Sequence, residues 1–143
     1  MPTIERVVEY AVAPERLWAV VADLRGWQDW LTVLREWATE PAETLVQGAR
    51  LDGVITVMSI PMTVTWTVDV CDPPRSLVLS GPAVLNSTVT LRADVEPTAT
   101  GSRAALTIDV DNPLLVGPIA ETLMGSIRAD VDASMTNLES RLA

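Results

Sequence analysis

Arg6 and Tyr10 are the side chains of this 143-residue chain best placed to do chemistry, because they interrupt the apolar side of an alternating stretch. Ile4, Val8 and Val12 share that side with them, and Glu5 and Glu9 take the other. A single guanidinium or hydroxyl among apolar walls fixes the orientation of a bound molecule by donating to its carbonyl or carboxylate. The plainer reading makes Tyr10 a core residue with its hydroxyl at the rim, and has Arg6 reach water along its own stem. Arg35, Asn86 and Ser87 are further polar candidates near the same interior.

Other chemistries lack their parts. There is no His and a single Cys, Cys71, which removes the commonest general base, the commonest zinc ligand and any internal disulfide. Asp109 and Asp111 share one strand face and could be imagined holding calcium, but nothing around them forms a calcium loop, and two solvated charges is the simpler account. No glycine-rich phosphate loop and no Gly-x-Ser-x-Gly elbow occurs. The basic residues are ten Arg with no Lys, against 19 Asp plus Glu, for a formal net charge of −9. Such a surface repels nucleic-acid backbones and anionic lipid head groups. The sequence therefore implies no cofactor, no metal, no nucleic-acid partner and no stable membrane insertion. With one cysteine and no signal-peptide pattern at Met1, the expected compartment is reducing cytoplasm.

The elements that must position these residues follow from periodicity. Thr3 to Val12 reads as a strand, stopped at Ala13-Pro14, and Pro14 suits the first turn of a short helix that turns Leu17, Val20, Val21 and Leu24 inward. Gly26 breaks it, and the spacing of Trp27, Trp30 and Leu31 predicts a second short helical turn. Thr32 to Thr39 is expected as a strand carrying Trp37, and Pro41 to Gly48 as a loop. A hairpin follows, from Arg50 to Met58 and from Met62 to Cys71 around Ser59-Ile60-Pro61, with Met62, Val64, Trp66, Val68 and Val70 on its inner face. Asp72-Pro73-Pro74 and Gly81-Pro82 read as turns flanking a short strand, Leu77 to Ser80. Asn86 to Val95 and Arg103 to Val110 make the last pair. Asn112-Pro113 is expected to open a helical segment, and Gly117-Pro118 to kink or restart it.

From Ala120 a long amphipathic helix closes the sequence, apolar at Leu123, Met124, Ile127, Val131, Met135, Leu138 and Leu142 and polar at Glu121, Arg128, Asp132, Thr136 and Glu139. Hairpin-length connections make the pairing antiparallel, so the fold class is α+β: one domain over 1–143, a seven-stranded curved antiparallel sheet wrapped around the long C-terminal helix, with two short helices between strands 1 and 2.

Taken in order, Ala13-Pro14 with Leu17-Trp18, Asp23 leading to Trp30, Gly48 before a strand, Asp72-Pro73-Pro74-Arg75-Ser76-Leu77 at a turn, Gly101-Ser102-Arg103, and the C-terminal helix resemble the helix-grip superfamily. This group, SRPBCC, contains START-related lipid-transfer domains, pathogenesis-related plant proteins and polyketide cyclases. The resemblance covers nearly the whole chain. It implies a deep apolar cavity between sheet and helix for a lipid, sterol, polyketide or similar molecule, and it transfers no catalytic motif.

A pocket of that kind is expected to hold roughly 300 to 1,000 Å³, with an entrance near Gly117-Pro118. Its expected ligand-binding residues are Tyr10, Trp37, Trp66, Ser87, Val89, Leu106, Ile108, Leu123 and Ile127, with Trp18, Trp27 and Trp30 anchoring the short helices. The expected function is binding or transport of a hydrophobic or amphipathic small molecule. The alternatives are a cyclase, aromatase or dehydratase-like enzyme using the same cavity, and an interaction module whose core is filled. Catalytic residues, ligand identity and oligomeric state are left open by the sequence.

Overall fold

The structure, a computed structural model, describes residues 3–40, 46–57, 60–83, 87–112 and 116–142. Strand β1 (Thr3–Tyr10) leads into α1 (Pro14–Val21), a 3₁₀ turn at Leu24–Gly26 and the single-turn α2 (Trp27–Trp30). Six strands follow: β2 (Leu34–Trp37), β3 (Arg50–Val57), β4 (Ile60–Asp72), β5 (Ser76–Pro82), β6 (Thr88–Pro97) and β7 (Ser102–Asp111). The helix α3 (Gly117–Leu142) comes last. The strand order is β1-β7-β6-β5-β4-β3-β2 and every pairing is antiparallel. The sheet curls into a half-barrel, and α3 lies in its concave side against β1, α1 and α2.

Alternation decides which side chains face α3. Along β7 every second residue from Ser102 to Val110 is buried, and along β6 Val89, Leu91, Ala93 and Val95 are. In β4 the pattern breaks after Val68, because a bulge sets Val68 opposite Leu79 but Val70 opposite Val78. One added residue reverses the faces beyond it. Val70, expected inside, is therefore exposed, and Cys71 turns partly inward beside Leu77.

Other boundaries move for similar reasons. Ile60 and Pro61 belong to β4, paired with Val57 and Thr56, and Gly81-Pro82 are the last residues of β5 rather than a turn. Proline can sit in a strand where it has no ladder bond to donate. Strand β2 is four residues long, not the eight expected from Thr32 to Thr39. The helix begins at Gly117, whose φ of +64° is a left-handed entry that favours glycine, so of the two expected roles Gly117-Pro118 starts the helix and does not kink it. Ser59, Asn86, Pro113 and the loop at 41–45 lie outside the described residues.

Hydrogen bonds hold α3 unevenly. Arg6 Nε bonds Asp132 Oδ1 at 2.7 Å, Tyr10 Oη donates to the Met135 carbonyl at 2.9 Å, and Arg16 donates to the Leu142 carbonyl at 3.0 Å. The Thr32 N–H donates to Ser134 Oγ, which itself donates to the Asp130 carbonyl. All of these grip the C-terminal half. The N-terminal half rests on Met124 and Ile127 and leaves Ile119 71% exposed. Within it, Gly125 is exposed, and a Cβ there would meet nothing within 4 Å. Gly125→Ala is expected to raise stability by about 0.5–1 kcal/mol through lost chain entropy in the unfolded state, read as a higher thermal midpoint.

Candidate functional site

Toward the α1 end of the half-barrel the inward side chains are buried against one another. There α1 packs on β6 and β7, whose facing pairs Ala93–Leu106 and Val95–Ala104 are buried beneath it. Ser102 Oγ donates to the Val12 carbonyl and closes the corner. Toward the other end, the pairs Leu91–Ile108 and Val89–Val110 look up at Ile127 of α3, and between them is a cavity of about 40 Å³.

Five of the nine expected residues form its wall: Trp37, Trp66, Val89, Ile108 and Ile127. The other four do not. Leu106 is buried toward the α1 end, Ser87 Oγ accepts from Asn112 Nδ2 at 2.7 Å, and Leu123 borders an open groove with Pro118, Ile119 and Thr122. Tyr10 spends its hydroxyl on α3. The residues that sequence reasoning missed come mostly from one segment, Trp27, Leu31, Val33 and Leu34, with Ile55, Leu91 and Val110 from the sheet. Alternation carried a signal for the sheet residues. For the segment, the spacing of Trp27, Trp30 and Leu31 marked an inward-packing helical turn but not a cavity wall, and the tight path from α2 into β2 then turns Val33 and Leu34 inward in succession.

The volume is far below the expected range, and three bulky indoles are part of the cavity wall. Trp27, Trp37 and Trp66 all line it, and each indole takes up room that a smaller side chain would leave open. Trp27 sits edge-on to Trp30 with ring centroids 5.9 Å apart and lies 6.1 Å from Trp37, so Trp27, expected as a helix anchor, is also cavity wall. Gly53 makes the arrangement possible: a Cβ there would lie 3.0 Å from Trp66 Nε1 and 3.1 Å from the Trp37 ring.

Polar groups of the interior are nearly all committed. Trp27 Nε1 donates to the Val21 carbonyl at 2.7 Å and Trp37 Nε1 to the Leu24 carbonyl at 2.6 Å. The Nε1 atoms of Trp30 and Trp66 are buried without a partner. Arg6 stands at the rim, bonded to Asp132 and to the Glu5 carbonyl, and Arg35 is exposed. Asp109 accepts from Thr3 at 2.6 Å, and no group of three or more His, Cys, Asp or Glu among the described residues is placed to hold a metal ion.

Burial, and then the nearby Glu139 carboxylate, push the Tyr10 hydroxyl up from 10.0 to about 12. The Cys71 thiol is raised too, by burial and then by Asp72. For Tyr10 the folded state holds the proton more tightly than the unfolded state. Its contribution to stability is whole below pH 10 and is lost as pH rises toward about 12. Tyr10 is the only tyrosine and lysine is absent, so absorbance at alkaline pH reads this group directly. The expected titration midpoint is near 12 in the folded protein, and Tyr10→Phe should flatten the fall in stability across that window.

Comparison with known proteins extends the picture. The family model described as polyketide cyclase / dehydrase and lipid transport matches residues 1–143. Toxin Rv0910 of Mycobacterium tuberculosis (strain H37Rv) is 28% identical over 137 residues, covering 96% of this chain and 95% of that one. In structure the chain is similar to the Zhui aromatase/cyclase from Streptomyces sp. R1128, with a TM-score of 0.77, 16% identity, and coverage of 99% and 93% of the two chains. It is also similar to TTHA0849 from Thermus thermophilus, at a TM-score of 0.76, 17% identity, and coverage of 99% and 97%. Among the described residues no helix is long and apolar enough to cross a membrane.

Proposed function

Since the chain belongs to the polyketide cyclase / dehydrase and lipid transport family, we propose that it binds a small, largely apolar molecule in the cavity under the N-terminal half of α3, as a carrier or sensor rather than as an enzyme. The observation that carries this reading is the wall itself: its described residues are all aliphatic side chains and indoles, supplied by the sheet, the α2–β2 segment and α3 together. Apolar surface leaving water is the driving force, at about 25 cal/mol per Å². Binding over catalysis is supported by where the polar candidates are spent, because Arg6, Tyr10 and Ser87 all hold protein partners outside the wall. A cavity of about 40 Å³ admits a ligand only as the indoles give way. The half of α3 above it, held among the described residues by apolar contacts, is the part able to lift.

The small volume favours a second reading, an interaction module with a filled core. Titration with the neutral apolar dye phenylnaphthylamine, together with mass spectrometry of molecules that copurify, separates the two. Saturable uptake, competed by simple hydrocarbons, is expected. No uptake and no copurifying molecule would leave the filled-core module.

A further inference from the structure

The geometry points to Trp66 Nε1 as the hydrogen-bond donor that selects the ligand: a neutral apolar molecule with one acceptor oxygen, a ketone or an ether, rather than a carboxylate or an alcohol. The inference rests on the cavity-binding reading above. Three tryptophans line the cavity, and two have their N–H groups committed to backbone carbonyls. Trp66 is 5% exposed, and its Nε1 is buried with no partner. A buried donor left unpaired is costly, and such groups are rare enough in folded proteins to call for a specific explanation.

Its placement supplies one. The Trp66 indole crosses the inner face of β3 at Gly53, where the missing side chain leaves room for Nε1 beside the Trp37 ring. Trp37 and Ile55, its neighbours there, are both cavity wall. Trp37 is only partly buried, and its other side borders an open groove of about 310 Å³ shared with Gln28 and Glu40. The Trp37 ring thus divides that groove from the hollow and stands next to the free donor, so displacing it admits a molecule and uncovers the N–H in one motion.

The rest of the wall sets the chemical class. Among the described residues it offers no charged side chain and no acceptor side chain. A carboxylate would be stripped of water for one neutral hydrogen bond, and an alcohol would bury a hydroxyl proton with nothing to receive it. A keto or ether oxygen accepts the indole N–H and asks for nothing further.

The test is displacement of phenylnaphthylamine by methyl hexyl ketone, by the corresponding secondary alcohol and by octane. The ketone should bind about tenfold more tightly than octane, the size of one neutral hydrogen bond to a buried group, and more tightly than the alcohol. In Trp66→Phe the preference for ketone over octane should vanish, whatever change in octane affinity the reshaped wall itself brings. A second readout covers a variant that does not fold: among the five indole resonances of the native protein, that of Trp66, assigned through its contact with Gly53, should move downfield with ketone and not with octane. Octane binding without ketone preference, a preference that survives in Trp66→Phe, or an unmoved Trp66 resonance would overturn the inference and leave the cavity reading intact. So would a water cross-peak on this N–H that persists at saturating ketone. Failure of the dye and every competitor to bind would overturn both.

Discussion

Gly81→Ala is expected to cost about 3–5 kcal/mol, among the largest losses any single methyl group could cause in this protein. Gly81 lies in β5, paired with Val89 on one side and against Thr65 of β4 on the other. A Cβ built there would stand 2.1 Å from the Thr65 carbonyl oxygen and 2.9 Å from Val64 Cγ1. The first of these is backbone, so no rotamer relieves it. The two central strands would have to separate, and Val64, Val68 and Leu79, all fully buried, would lose contact with them. Urea denaturation measures the loss, and a change below about 1 kcal/mol would show that β4 and β5 part there without harm. Gly125→Ala is the matched control, with the same chemical change and the opposite sign.

Trp27→Ala should destabilise by about 3–5 kcal/mol, and part of that loss should be recoverable by an apolar ligand. Trp27 is 2% exposed, packs on Trp30 and Trp37, and donates to the Val21 carbonyl. Its removal leaves an apolar void continuous with the existing cavity, and such voids stay dry and take up benzene. Benzene at a hundred times its dissociation constant would return about 2.7 kcal/mol. Thermal unfolding of the variant with and without benzene decides the point. A variant as unstable as expected and indifferent to benzene would mean that the surrounding side chains collapse into the space, and that this end of the half-barrel is not a hollow.

Legibility in the sequence followed the range of the interactions involved. The stripe from Met124 to Leu142 and the alternation along β6 and β7 were readable because helix and strand periods are local, each residue's face following from its neighbours three, four or two positions away. The same logic failed in β4 beyond Val68. A bulge is decided by how two strands fit, and Val70 looks equally inward in the sequence with or without it. It failed again at Gly81-Pro82, where a pair of residues that usually marks a turn instead relieves a close approach between strands.

The candidate site divided along the same line. Val89, Ile108 and Ile127 were legible as inward residues of regular elements. Trp37 and Trp66 were legible as large apolar side chains on strands. Tyr10 was legible as inward-facing, but its partner, the Met135 carbonyl, is 125 residues away in sequence and no local pattern announces it.

By itself, the sequence determined the α+β class, the order of seven strands and three helices, the side of each regular strand that meets α3, and the lack of histidine and paired thiols that narrows the chemistry. Those properties reside in composition and in periods of two and three to four residues. Only the tertiary structure decided how much of the interior is empty. That quantity is a small difference between the room under a curled sheet and the volume of the side chains sharing it, and it turned on where three indoles come to lie and on a glycine that lets two of them approach. It also decided which polar groups are spent, since a hydrogen bond between distant elements exists only once the chain has brought them together. Trp27 and Trp37 found carbonyls within reach, and Trp66, lying over Gly53, did not.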